Sequence, residues 1–193
     1  MLEKKAALAA LASGTMARCV WNKLYVSELW NTVRFPDGHV YEDGCTLIRI
    51  IGMADHVVTV PGCPVRHRIH PGSITQTWSA QNVRDWIRSR KQIEEYVEKN
   101  TPHLFPDGML SLVQKETAEG MIPSWARAAK DDREYAESLR REILRKKQSL
   151  DFGSWGLRSR MAYWMLHFCP WMLPAALPVY RLLRRLYAGM TGR

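Results

Sequence analysis

The pattern of apolar and polar positions first indicates a β region between residues 30 and 72. Short runs rich in β-branched residues alternate there with Pro, Gly and Asp, which are turn-forming residues. Strands are predicted at 31–34, 39–41, 46–51 and 56–60. Three or four short strands are enough for a sheet with one buried face, so we expect a small antiparallel β region.

Residues 73–150 show the spacing of helices instead. Ser79 is a predicted N-cap, and the apolar stripe behind it ends near Asn100. Residues 101–123 look irregular in this interpretation. Ser124 is then expected to cap a longer helix that ends in a basic stretch.

Residues 1–29 are interpreted as an N-terminal helical arm. Its start is rich in Ala and carries Lys4, Lys5 and Arg18 against Glu3, a balance typical of an organellar transit peptide. The apolar run is too short and weak for a secretory signal. We expect a helix that docks on a partner.

The C-terminal tail, residues 151–193, carries the strongest signal. The twenty residues from Met161 to Tyr180 include no charged side chain, and that length would cross a hydrocarbon core of roughly 30 Å. Prolines at 170, 174 and 178 argue against a straight span, because each interrupts the helical hydrogen bonds. We therefore predict two short helices, at about 157–168 and about 175–188.

Aromatic and arginine side chains of this tail are the candidate membrane or partner contacts. Trp and Tyr favour the headgroup level of a bilayer, and arginines of an interfacial helix reach phosphates. The candidates are Trp155, Trp164, Trp171, Tyr180, Arg181, Arg184 and Arg185. As an alternative, the tail fills a protein groove in a larger assembly with no lipid present.

The predicted fold class is therefore α+β: a small antiparallel β region followed by helices and a Pro-kinked apolar C-terminal helical tail.

Net charge adds a second functional indication. Lys and Arg outnumber Asp and Glu by 28 to 19, giving +9 at pH 7, which favours phosphate in RNA or in lipid headgroups. The candidate phosphate or RNA contacts are Arg66, Arg68, Arg140, Arg141, Arg145, Lys146 and Lys147, and the helix after Ser79 adds Arg84, Arg88, Arg90 and Lys91. Eight Trp and nine Met are typical of membrane or protein interfaces. Four widely spaced cysteines indicate free thiols in a reducing compartment.

Catalytic and metal-binding signatures are weak. The sequence has no nucleophile elbow, no dinucleotide fingerprint and no P-loop. The best ligand set is Cys63, His67 and His70, with Cys45, His39 or His56 as a fourth ligand. Its spacing matches no zinc module, and the arginines within it would repel a cation. We expect no enzyme activity, no metal and no cofactor.

These features predict a non-catalytic accessory or structural subunit of a large membrane-associated complex. Its expected partners are other protein subunits and lipid headgroups. A mitochondrial inner-membrane assembly of the respiratory or ATP-synthase type fits the basic charge and the presequence-like start. The alternative is an RNA-contacting structural protein of a ribosome, including a mitochondrial one, or of another ribonucleoprotein.

Overall fold

The computed structural model describes residues 1–62, 65–66, 68 and 79–175, and these residues are mostly helical. Their α-helices are α1 (Lys4–Ala12), α2 (Glu42–Met53), α3 (Ala80–Asn100), α4 (Met109–Asp131), α5 (Arg133–Ser149) and α6 (Leu157–Phe168). Short 3-10 helices lie at Ser27–Trp30, Phe152–Ser154 and Pro170–Met172. Strands β1 (Leu2–Glu3) and β2 (His56–Val57) form a small antiparallel sheet.

The sheet joins the N-terminus to β2. Leu2 lies opposite Val57, and Glu3 lies opposite His56. The strand predicted at 56–60 is therefore confirmed at its first two residues only. Its partner strand belongs to the N-terminal arm. The segments predicted as strands at 31–34 and 39–41 form turns, bends and irregular backbone.

The strand predicted at 46–51 is wrong, because this run lies inside α2. Seven residues of this helix are buried, namely Gly44, Cys45, Thr46, Leu47, Ile48, Ile50 and Ile51. A helix buried over so much of its circumference needs apolar residues on several faces, which removes the polar positions that would reveal its period. Glu42 and Asp43 in the first turn also favour a helix start.

The chain divides into two compact units, residues 1–117 and 118–193. The core of the first unit combines α1, α2 and α3 with Phe105 and the first turns of α4. Leu8, Leu11, Leu47 and Ile48 are almost completely buried in it. The predicted N-terminal helix thus exists, but its apolar face packs in its own unit where we had expected a partner.

Helix α3 confirms the prediction at both ends. The Ser79 hydroxyl accepts a hydrogen bond from the Asn82 N–H at 3.1 Å, and the helix ends at Asn100. Gly52 of α2 lies directly against Tyr96, because a Cβ at this position would overlap the Tyr96 hydroxyl. A glycine in α2 therefore sets how closely the two helices approach.

Residues 101–123 are mostly helical, contrary to the prediction, because α4 continues through Pro123. Ser124 does not cap the next helix. Its hydroxyl donates to Gly120 O at 2.8 Å within α4. The break comes at Asp132, whose carboxylate accepts from the Tyr135 N–H at 2.9 Å and caps α5.

The second unit contains the rest of α4 together with α5 and α6. Its buried side chains include Met121, Ile122, Leu139, Ile143, Tyr163 and Leu166. Helix α6 has the bounds that the sequence predicts. The helix predicted at about 175–188 lies outside the described residues from 176 onwards, and so does the predicted kink at residue 178.

Candidate functional site

Helix α6 is apolar on two opposite sides. Tyr163 and Leu166 are buried within the second unit. On the other side, apolar side chains recur every three or four residues and remain exposed. These are Leu157, Met161, Trp164 and Phe168, and we call them, together with the exposed Trp171 that follows the helix, the α6 stripe.

The α6 stripe is unusual because of its size. Phe168 is 69% exposed and Trp171 is 76% exposed. A helix on the surface of a soluble protein normally has one apolar face, and it packs on the core. A second, exposed apolar face is typical of a site that meets another protein or a membrane.

Helix α6 is too short to cross a bilayer. Its 12 residues span about 18 Å at about 1.5 Å per residue, against a hydrocarbon core of roughly 30 Å. Within the residues that the structure describes, no helix combines the length and hydropathy of a membrane span.

A cluster of aromatic rings supports the stripe from beneath. The Phe152 ring centroid lies 5.2 Å from that of Trp155, 5.0 Å from that of Tyr163 and 6.0 Å from that of Trp164. Trp164 stacks on Phe168 with centroids 5.5 Å apart and planes 11° apart. Burial raises the pKa of the Tyr163 hydroxyl. The cluster holds Trp164 and Phe168 in fixed orientations.

The predicted contact residues of the tail divide into three groups. Trp164 and Trp171 are exposed and belong to the stripe. Trp155 is 3% exposed, so its ring supports the surface without forming part of it. Tyr180, Arg181, Arg184 and Arg185 lie outside the described residues.

Helix α6 is bound by an acidic side chain at its start and by a basic side chain at its end. At its start, the Gly156 N–H donates to Glu119 Oε1 at 3.0 Å. At its end, the Arg140 guanidinium donates to the carbonyls of Leu166 and His167, each at 3.0 Å. These carbonyls lack partners within the helix, and a cation is favoured at this end of the helix dipole.

Basic side chains border the stripe. The helical spacing places Arg158 on one side of Leu157 and Arg160 on the other. The Arg160 guanidinium lies 5.9 Å from the Phe152 centroid, and the Lys147 ammonium lies 5.3 Å from it. Such cation–π contacts keep the charges next to the aromatic cluster.

The basic residues of α5, which the sequence predicts to contact phosphate or RNA, differ in their exposure and in their contacts. Arg140 is engaged with α6 and with Glu137 at 3.3 Å. Arg141 and Arg145 are exposed, and they lie one turn apart on the side of α5 away from its buried residues. Lys146 and Lys147 are half-buried.

Among the other basic candidates, Arg90 is buried. Its guanidinium donates to Val113 O and Thr117 Oγ1, both at 3.1 Å, and lies 3.3 Å from Glu116, which also pairs with Arg18 at 2.7 Å. Burial lowers the pKa of Arg90 to about 10, with Arg18 adding to the effect and Glu116 opposing it. Arg90 therefore joins α3 to α4 and cannot reach an RNA.

The remaining cations of α3 are better placed for an anion. Arg84, Arg88 and Lys91 line an open groove of about 410 Å³ together with Ile87, Gln92 and Glu95. Arg66 and Arg68 are exposed as well.

A histidine and a buried carboxylate lie beside this groove. Asp85 is 4% exposed and accepts from Gln81 Nε2 at 2.9 Å and from the Val40 N–H at 3.3 Å. His39 Nδ1 lies 3.5 Å from its Oδ1. These contacts fasten the turn before α2 to α3, which is a structural role.

No group of three or more metal-ligating side chains occurs among the described residues. The predicted ligands Cys63, His67 and His70 lie outside them.

Sequence reasoning missed Leu157, Met161 and Phe168 as surface residues. Their four-three-four spacing with Trp164 is visible in the sequence. The signal was hidden because Tyr163 and Leu166 make the same segment apolar all round, which is also the pattern of a membrane span.

The chain matches no protein family model, no curated protein and no solved structure.

Proposed function

We propose that the protein is a non-catalytic accessory subunit of a large membrane-associated complex, of the respiratory or ATP-synthase type, and that the α6 stripe docks at the bilayer surface. The stripe itself is the observation that carries this proposal. It is ordered on one side by packing in the second unit and exposed on the other.

The energetics favour such docking. Fully burying one large apolar side chain contributes about 1.5–3 kcal/mol. Covering several members of the stripe at once therefore offsets much of the cost of association, which is about 4–15 kcal/mol. Because α6 is already folded and held at both ends, little additional ordering is required.

The test replaces Trp164, Phe168 and Trp171 together with Gln. The matched control replaces Leu24, Val58 and Val60, which are exposed apolar residues of the first unit, also with Gln. We expect the wild-type and control proteins to sediment with membranes and to co-migrate with a large complex on native gels. The stripe variant should remain in the supernatant. Unchanged sedimentation of the stripe variant would refute the proposal.

A second candidate, an RNA-contacting structural protein, is favoured by the α3 groove with Arg84, Arg88 and Lys91. If it is right, nuclease or high salt should release the protein from its particle, because phosphate contacts weaken steeply with salt. Replacing Arg88 and Lys91 with Gln should then reduce binding, whereas the stripe variant should bind normally.

A further inference from the structure

We propose that the α6 stripe docks on an anionic phospholipid bilayer, with Arg158 and Arg160 at the level of the headgroup phosphates. This inference rests on the proposed function and names the surface that the stripe meets.

The positive charge around the stripe complements anionic lipid headgroups. Residues 152–193 contain six arginines and no Asp, Glu or Lys. Within the described part of this segment, both arginines stand beside the stripe. A surface that is apolar in the middle and cationic at its borders complements a bilayer whose acyl region is apolar and whose headgroups are anionic.

The direction of the stripe along α6 also fits a bilayer surface. Leu157, Met161, Trp164 and Phe168 lie along the length of the helix, so the stripe is parallel to the helix axis. A helix of this kind lies in the plane of the interface with its apolar side at the acyl boundary. Arginines at its borders can extend their apolar stems over the stripe and leave the guanidinium groups among the phosphates.

The residue types of the stripe favour the same surface. Two of the five stripe residues are Trp, which favours the depth of the headgroups. Lys147 and Arg160 lie near the Phe152 ring at the edge of the same surface, which adds positive charge where a headgroup layer would begin.

The experiment measures flotation of the purified full-length protein with vesicles of phosphatidylcholine, with and without phosphatidylglycerol. The test variant carries Arg158→Gln and Arg160→Gln. A cation near an anionic surface is worth about fivefold in affinity, so we expect binding to the anionic vesicles to fall by about 25-fold. Binding to the neutral vesicles should be weak and unchanged.

Two controls separate local charge from net charge and from misfolding. The variant Arg141→Gln with Arg145→Gln removes two exposed cations on the far side of α5, and it should bind almost normally because salt screens distant charges beyond about 10 Å. The variant Arg158→Lys with Arg160→Lys keeps the charge, so it should recover most of the binding.

Other results would overturn the inference. Equal binding of the wild-type and Arg158→Gln/Arg160→Gln proteins to anionic vesicles would do so. If the wild-type protein binds neither kind of vesicle while the stripe variant still leaves the native complex, the stripe meets a protein. The inference and the bilayer docking then fall together, whereas the role as a subunit of a large complex survives. Vesicle binding that requires removal of residues 176–193 would identify that segment as the normal cover of the stripe.

Discussion

At the scale of single residues, Tyr25 is the side chain whose surroundings most clearly set a chemical property. Its hydroxyl donates to Val20 O at 3.1 Å, and its ring packs edge-on against Trp30 at 5.3 Å between centroids. Burial, with smaller contributions from Asp43 and Cys19, raises the pKa of Tyr25 to about 12. The neutral hydroxyl is therefore part of the folded state of the first unit.

This raised pKa makes stability depend on pH in one direction. An unfolded tyrosine ionises near pH 10, so above that pH the unfolded chain loses its proton first. The stabilising contribution of Tyr25 is complete below about pH 10 and is lost between about pH 10 and 12. Urea unfolding across this range should show a steeper loss of stability for the wild-type protein than for Tyr25→Phe.

The comparison between the two proteins also removes the effect of Arg90. Its lowered pKa of about 10 acts with the opposite sign, but it is present in both proteins and cancels. Parallel pH profiles for wild type and Tyr25→Phe would contradict the prediction.

At the scale of elements, polar residues at both ends of α3 made that helix predictable. Ser79 caps α3, and Asn100 ends it before Pro102. Helix α2 was mistaken for a strand because its buried faces left a continuous apolar run. Helix α4 was missed because Pro123 and Ser124 resemble a helix start, and only tertiary packing decides that the helix continues.

The sequence predicts part of the site, namely the residues whose type alone favours an interface. Trp164 and Trp171 could be proposed from residue type alone, since Trp favours interfaces. The burial of Trp155 depends on the rings of Phe152 and Tyr163, and no local pattern encodes that contact.

The anchoring of α6 gives a prediction with a matched pair of arginines. Arg140→Gln removes two charge-assisted hydrogen bonds to the end of the helix and should lower the free energy of unfolding by about 1–3 kcal/mol. Arg141→Gln, at the exposed neighbouring position, should change it by less than about 0.5 kcal/mol. Urea midpoints measured by circular dichroism would distinguish the two. Equal effects would mean that Arg140 does not anchor α6.

At the scale of the whole molecule, charge and apolar surface are unevenly distributed along the chain. The formal charge of +9 belongs to the whole chain of 193 residues, but residues 152–193 contain six arginines and no Asp or Glu. The same part contains the stripe. The positive charges of two copies therefore repel each other, whereas their stripes attract each other. Added salt screens the charges, so it should favour association.

We accordingly expect the isolated protein to self-associate in detergent-free buffer, and to do so more strongly as salt is raised. The variant with Gln at 164, 168 and 171 should remain monomeric, with its thermal midpoint lowered only by the loss of the ring contacts of Trp164 and Phe168. Size-exclusion chromatography with light scattering measures this. The prediction fails if the Leu24, Val58 and Val60 control abolishes association and the stripe variant does not.

The attachment of α6 at both ends prevents the helix from rotating to bury its stripe. Turning the helix to hide the stripe would break the contacts of Gly156 and Arg140 and bring Tyr163 and Leu166 to the surface in exchange. The helix therefore has no resting orientation in which it is polar outside. If the stripe docks as proposed, this arrangement suits permanent residence in an assembly better than cycling between bound and free pools. Copies made in excess of their docking places should be short-lived, because chaperones and proteases act on exposed apolar surface.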